Sequence, residues 1–199
     1  MKKKTFEFWF EFASTYSYPA AFRVDEVANQ HNVDVLWRPF LLGPIFNAQG
    51  WDTSPFNIYL AKGRYMWRDM ERICARVELP FNRPDVMPQN GLAAARIAYW
   101  FADAPWMREF VKKIYQANFV CGQTIADQAT IAEVLETLGV DAIEAIASAN
   151  STESKAGLRA QTEHAIELGI FGAPTFIVGD ELFWGHDRLE EAVAWAIEH

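Results

Sequence analysis

Apolar and polar positions divide the chain into stretches of different period. Residues 5–12, TFEFWFEF, are dense in aromatics with weak alternation, which predicts a mostly buried strand. From Pro19 the period lengthens: Ala20, Val24, Val27 and Ala28 recur at helical spacing, with Arg23, Asp25 and Glu26 between them. VDVLWRPFLL at 33–42 predicts a second strand ending at Pro39 or soon after, because proline offers a sheet no N–H. Strand, helix and strand in so short a span form a βαβ unit, whose strands run parallel through a right-handed crossover.

The strand pattern then stops. Gly43 to Pro55 reads as a loop, and helices are predicted over 61–78, 90–103, 105–120, 127–139, 141–149 and 152–168. Asp127 stands where an N-cap belongs, Gly139 where a C-cap does, and Gly169 ends the last of these helices. PTFIV at 174–178 and ELFW at 181–184 flank a Gly179-Asp180 turn, a hairpin signal, and residues 187–198 close the chain as a helix. The order is βαβ, a run of helices, then αββα. It predicts an α/β fold, thioredoxin-like, with a large all-helical insertion: residues 1–50 and 151–199 form the discontinuous thioredoxin-like domain and 51–150 the insertion. In that topology the Ala173-Pro174 bond is expected to be cis, against the ordinary trans proline that opens many strands.

Composition narrows the function classes. Half the residues (51%) are apolar, enough for a core without disulfides or a structural metal. A formal charge of -8 argues against a general nucleic-acid binder but leaves room for a local anion pocket. Cys74 and Cys121 form no metal or CxxC pattern, in keeping with a reducing cytoplasm. The start, MKKKTFEFWFEF, resembles a leader, yet Glu7 and Glu11 interrupt any apolar stretch, and no run reaches the roughly 18 apolar residues of a membrane span. A protein of the cytoplasm, with neither membrane nor nucleic acid as partner, is the expectation.

The candidate chemistry lies at Ser14-Thr15-Tyr16-Ser17, where the first strand hands over to a helix. Redox proteins of this fold carry CxxC there. Hydroxyls at the same spacing exclude disulfide exchange. A hydroxyl at a helix mouth favours an anion, a thiolate included, although a serine N-cap alone has the same appearance. Arg64, Arg68, Arg72 and Arg76 recur every four residues, so they form one basic stripe: a solvated face or subunit contact, or, at its N-terminal end, a site for a substrate carboxylate. Phe40, Phe46, Trp51, Phe56, Tyr65 and Trp67 flank the loop at 43–55, some of them available for an apolar slot.

FEFASTYSYPA at 10–20, PFLLGPIFNAQGWDTSPFN at 39–57, AKGRYMWRDMERIC at 61–74 and FGAPTFIVGDELFWGHDRLEE at 171–191 together resemble the 2-hydroxychromene-2-carboxylate isomerases, relatives of the kappa-class glutathione transferases. The likeness spans nearly the whole chain, with Thr15 where the family has proline and Asn47 where it often has lysine. It implies glutathione as cofactor, with Ser14 holding the sulfur and Tyr16 beside it. Ala173 and Pro174 would meet the peptide of glutathione, and Gly185, His186 and Asp187 its γ-glutamyl end. By residue type alone, His186 and Asp187 also read as plain helix capping. Asn47, Trp51 and Lys62 would wall the site, with Arg64 and Tyr65 toward an aromatic carboxylate substrate. The activity implied interconverts 2-hydroxychromene-2-carboxylate and trans-o-hydroxybenzylidenepyruvate in a homodimer. A kappa-type transferase and a non-catalytic thioredoxin-like binding module are the alternatives.

Overall fold

The computed structural model describes residues 4–199; residues 1–3, the basic start of the leader-like run, lie outside them. β1 (Lys4–Phe10), α1 (Ser17–Gln30) and β2 (Val33–Pro39) form the predicted βαβ unit, with β1 and β2 parallel. β3 and β4, described below, complete a four-stranded sheet in the order β2-β1-β3-β4, and both added pairings are antiparallel. β1 stops at Phe10, short of the predicted end, because residues 11–14 fold into a turn in which Ser14 N–H donates to the Glu11 carbonyl at 3.0 Å.

The loop predicted at 43–55 is helical over its first half, where α2 (Leu42–Ala48) lies, and ends where α3 (Pro55–Ile58) begins. Pro44 and Pro55 both lie in first turns, where a helix needs no N–H from them, so proline marks helix starts here rather than a loop. Ser54 caps α3 by accepting the Phe56 N–H. α4 (Leu60–Arg76), α5 (Leu92–Trp100), α6 (Met107–Phe119), α7 (Gln128–Thr137), α8 (Ala142–Ala149) and α9 (Thr152–Glu167) follow the predicted helices with shorter ends. Asp127 makes no side-chain cap, whereas Asp141 and Ser151 cap α8 and α9 through the amides of Glu144 and Ser154. β3 (Thr175–Val178), β4 (Glu181–Trp184), a 3₁₀ turn (His186–Arg188) and α10 (Leu189–Glu198) end the chain.

The pleat of β1 divides the core. Phe6, Phe8 and Phe10 join Phe176, α1 and α10 on one face, in a cluster continuous with Phe110, Ile114, Tyr115 and Phe119 of α6. Trp9 points to the other face, against Phe40, Ile45 and Ala165 of α9. Each fully buried phenylalanine contributes about 1.5–3 kcal/mol. A half-buried ion cluster ties α6 to the βαβ unit: Asp25 accepts from Arg108 at 2.7 Å, Trp37 Nε1 at 3.2 Å and Lys112 at 3.5 Å, while Arg108 also donates to the Val35 carbonyl. Among the described residues, no helix is long and apolar enough to cross a membrane.

Candidate active site

The turn after β1 aims Ser14 into a cavity. Its hydroxyl donates to the Ala173 carbonyl at 2.8 Å and accepts the N–H of Ser17, the first residue of α1, at 3.3 Å. Ser14 is thus both an acceptor for the first amide of α1 and a hydroxyl at the cavity wall, 9% exposed. The Ala173-Pro174 bond is cis, as expected, and the Pro174 carbonyl accepts the Gly185 N–H at 3.0 Å. The loop before β3 and the turn after β4 are therefore held against each other beside Ser14. Gly185 has φ of 115°, and an added Cβ would lie 2.6 Å from Asp187 Oδ1, so only glycine fits.

The cavity measures about 1150 Å³ and is mostly apolar, walled by α2, α3, the start of α4, the 87–92 segment and the turn after β4. Tyr16 stacks on His186, ring centroids 5.5 Å apart and 15° from parallel, and its hydroxyl donates to Asp69 Oδ2 at 3.1 Å. Burial and the Asp69 charge raise the Tyr16 phenol, and burial lowers the His186 imidazole, so both stay neutral at pH 7. Among the described residues no group of three His, Cys, Asp or Glu is placed to hold a metal.

The chain matches the DsbA-like thioredoxin domain family over residues 5–194. A 2-hydroxychromene-2-carboxylate isomerase of Pseudomonas putida is 30% identical over 190 residues, covering 92% of this chain and 89% of that relative. The chain belongs to the 2-hydroxychromene-2-carboxylate isomerase family of DsbA-like thioredoxin proteins. The solved structure of such an isomerase superposes with a TM-score of 0.84 at 26% identity, over 96% of this chain and 93% of that one. Glutathione S-transferase kappa 2 of Caenorhabditis elegans is 25% identical, over 98% of this chain and 93% of the relative.

Of the residues singled out in the sequence, Ser14, Tyr16, Asn47, Trp51, Lys62, Tyr65, Ala173, Gly185, His186 and Asp187 line this one cavity. Pro174 sits just behind Ala173 and is not part of the lining. Arg64 is exposed and does not line the cavity either, nor do Arg68, Arg72 and Arg76. Arg68 pairs with Glu71 at 2.5 Å and Arg72 with Asp69 at 3.7 Å, so the stripe is a solvated outer face. Three lining features escaped the sequence reading. Asp69 shares a helix face with Tyr65 at i, i+4, the spacing that could have shown it. Phe171 and Trp184 meet at 4.9 Å on the cavity lip, half-exposed. Glu11 is nearly fully buried in the wall; its signal was the second of two carboxylates inside an aromatic run, three residues before Ser14.

Proposed function

We propose that this protein is a glutathione-dependent isomerase that interconverts 2-hydroxychromene-2-carboxylate, the substrate in the name of its relatives, and trans-o-hydroxybenzylidenepyruvate. The observation that carries the reading is Ser14: a hydroxyl held at the N-terminus of α1, on the wall of an apolar cavity large enough for a tripeptide and a fused ring. The donor set suits glutathione. Asp69 and Asp187 are the lining carboxylates suited to its ammonium group, and Lys62 and Arg188 the lining cations suited to its carboxylates, with the Asp187–Arg188 pair to be exchanged on binding. Glutathione held there would supply a thiol able to add reversibly to the conjugated side chain and release its double bond for rotation.

The chain's own part is electrostatic. Ser14 turns its O–H from the Ala173 carbonyl to the sulfur and favours the anion, assisted by the first amides of α1. Lowering a thiol pKa by two units needs roughly 2.7 kcal/mol. A charge-assisted hydrogen bond of about 1.5–3 kcal/mol with a dipole contribution of about 0.3–1 is the right size. Phe46, Trp51 and Phe56 give the ring an apolar bed and exclude water. A cytoplasmic homodimer is the state in which we expect the enzyme to act.

An ultraviolet assay on protein dialysed free of glutathione tests this directly. Equilibration of the two substrates that requires added glutathione and leaves no conjugate supports the isomerase. A product heavier by one glutathione points to the kappa-type transferase instead. No glutathione-dependent turnover in wild type, with glutathione binding unaltered in Ser14→Ala, would leave only a binding module.

A further inference from the structure

Glu11 is the buried charge that the reading above leaves without a task. The turn after β1 sets it beneath Ser14. Ser14 N–H and Tyr115 Oη both donate to the Glu11 carbonyl, at 3.0 and 2.9 Å, and Glu11 Oε2 accepts the Ala13 N–H at 2.9 Å. The Ser14 amide bears on the same carboxyl. Its other oxygen, Oε1, faces Gly91, where an added Cβ would lie 3.5 Å away. Carboxyl and hydroxyl thus flank one amide, and both residues belong to the wall of one cavity.

The surroundings of this carboxyl are short of positive charge. Tyr115 of α6 is the titratable group whose charge couples to it, and no cation is among its described partners. Burial raises Glu11 from 4.5 to about 7, in spite of the two backbone N–H bonds that pull the other way. Among the residues that line the cavity Glu11, Asp52, Asp69 and Asp187 outnumber Lys62 and Arg188, and Arg72, which pairs with Asp69, lies outside the lining. A sulfur anion at Ser14 beside a Glu11 carboxylate would put two like charges in one poorly solvated turn, and such a pair holds a proton between its members.

We propose that Glu11 is the proton acceptor for the thiol docked at Ser14, taking the S–H proton as the sulfur binds and returning it when the sulfur leaves. The inference rests on the glutathione reading. The exchange is balanced without another reactant: the S–H bond breaks, a carboxyl O–H bond forms, and the buried charge stays at one. Glu11 keeps the Ala13 N–H in either state, because a carboxylic acid retains a carbonyl oxygen to accept it.

Proton counting tests it. Glutathione binding is measured by calorimetry at mildly alkaline pH in buffers of different ionisation enthalpy, while the thiolate ultraviolet band is followed in parallel. Wild type should show the band and release well under one proton per glutathione, whereas Glu11→Gln should show it and release close to one. Equal release from both, with the band present, overturns the role of Glu11 alone. No band in wild type overturns the glutathione reading and this inference with it. In turnover, Glu11→Gln should lose on the order of a hundredfold in kcat/KM near neutral pH, with the limb near pH 7 absent; Glu11→Asp should restore that limb. Difference infrared spectroscopy of wild type needs no variant: glutathione should increase the protonated-carboxyl band, and no increase overturns the assignment.

Discussion

Replacing Glu11 by glutamine should make the protein more stable, and more so as pH rises. The carboxyl titrates at about 7 in the fold against 4.5 in an unfolded chain. Between those values the folded state holds a proton that the unfolded state has lost, so wild-type stability falls as pH climbs through the window. The difference of about 2.5 units corresponds to roughly 3 kcal/mol once the window is passed. Only about 1.4 kcal/mol of this is present near pH 5.5, so the advantage of Glu11→Gln should grow by about 2 kcal/mol between about pH 5.5 and 8.5. The glutamine oxygen still accepts the Ala13 N–H, so the turn is retained. Urea unfolding at the two pH values, read as the difference between variant and wild type, cancels every other titrating group. In a chain of 199 residues the alkaline gain should appear as about 6–10 °C in Tm. A difference that is the same at both pH values would show that Glu11 is not held in its neutral form by burial, and the reasoning would fail.

Other perturbations probe the rest of the site. Ser14→Cys, treated with glutathione disulfide, should form a mixed disulfide visible by intact mass, with release of one glutathione; a thiol that stays free argues that residue 14 does not face the bound sulfur. Asp187→Asn should weaken glutathione binding about fivefold, a modest loss because the side chain is mostly exposed and already paired with Arg188, and should change turnover at saturation less. Calorimetry and saturation kinetics separate the two effects. Gly63→Ala would place a Cβ 2.3 Å from the Phe56 carbonyl oxygen, forcing α3 and α4 apart. It should destabilise by about 1–3 kcal/mol in urea and raise KM by distorting the cavity wall.

How far the sequence carries depends on which physical signal an element leaves in it. β1, α1, β2 and the β3–β4 hairpin are legible because dense or periodic apolar residues stand between turn signals; β1 is buried on both faces, with Phe6, Phe8 and Phe10 on one and Trp9 on the other. α2 and α3 are not, since Pro44 and Pro55 carry the same punctuation whether they open a helix or interrupt one. The arginine stripe shows the limit of spacing. Residues 64, 68, 72 and 76 do share one face, but spacing cannot say which face looks into the cavity. Tyr65 and Asp69, one position on, line it, while the arginines do not. Glu11 was hidden for a different reason. Residues 5–12 read as one strand, which assigns Glu11 no particular surroundings, and only the turn at 11–14 sets it in the cavity wall.

Ser14 and Glu11 together give a physical account of how a redox scaffold can lose its thiols and keep an anion chemistry. The strand-to-helix turn and the Ala173 carbonyl are retained, so whatever sits at position 14 meets the amides of α1. On the proposed reading a serine there would hold a sulfur it does not own, and the reacting sulfur would arrive from solution with its proton attached. A helix terminus and one hydroxyl can favour the anion but cannot remove that proton. Bulk water is a poor destination for it once an apolar cavity closes over the site. A carboxyl poised near neutrality within the same turn meets that need, and it accounts for a buried charge that weakens the fold by an amount selection would otherwise remove.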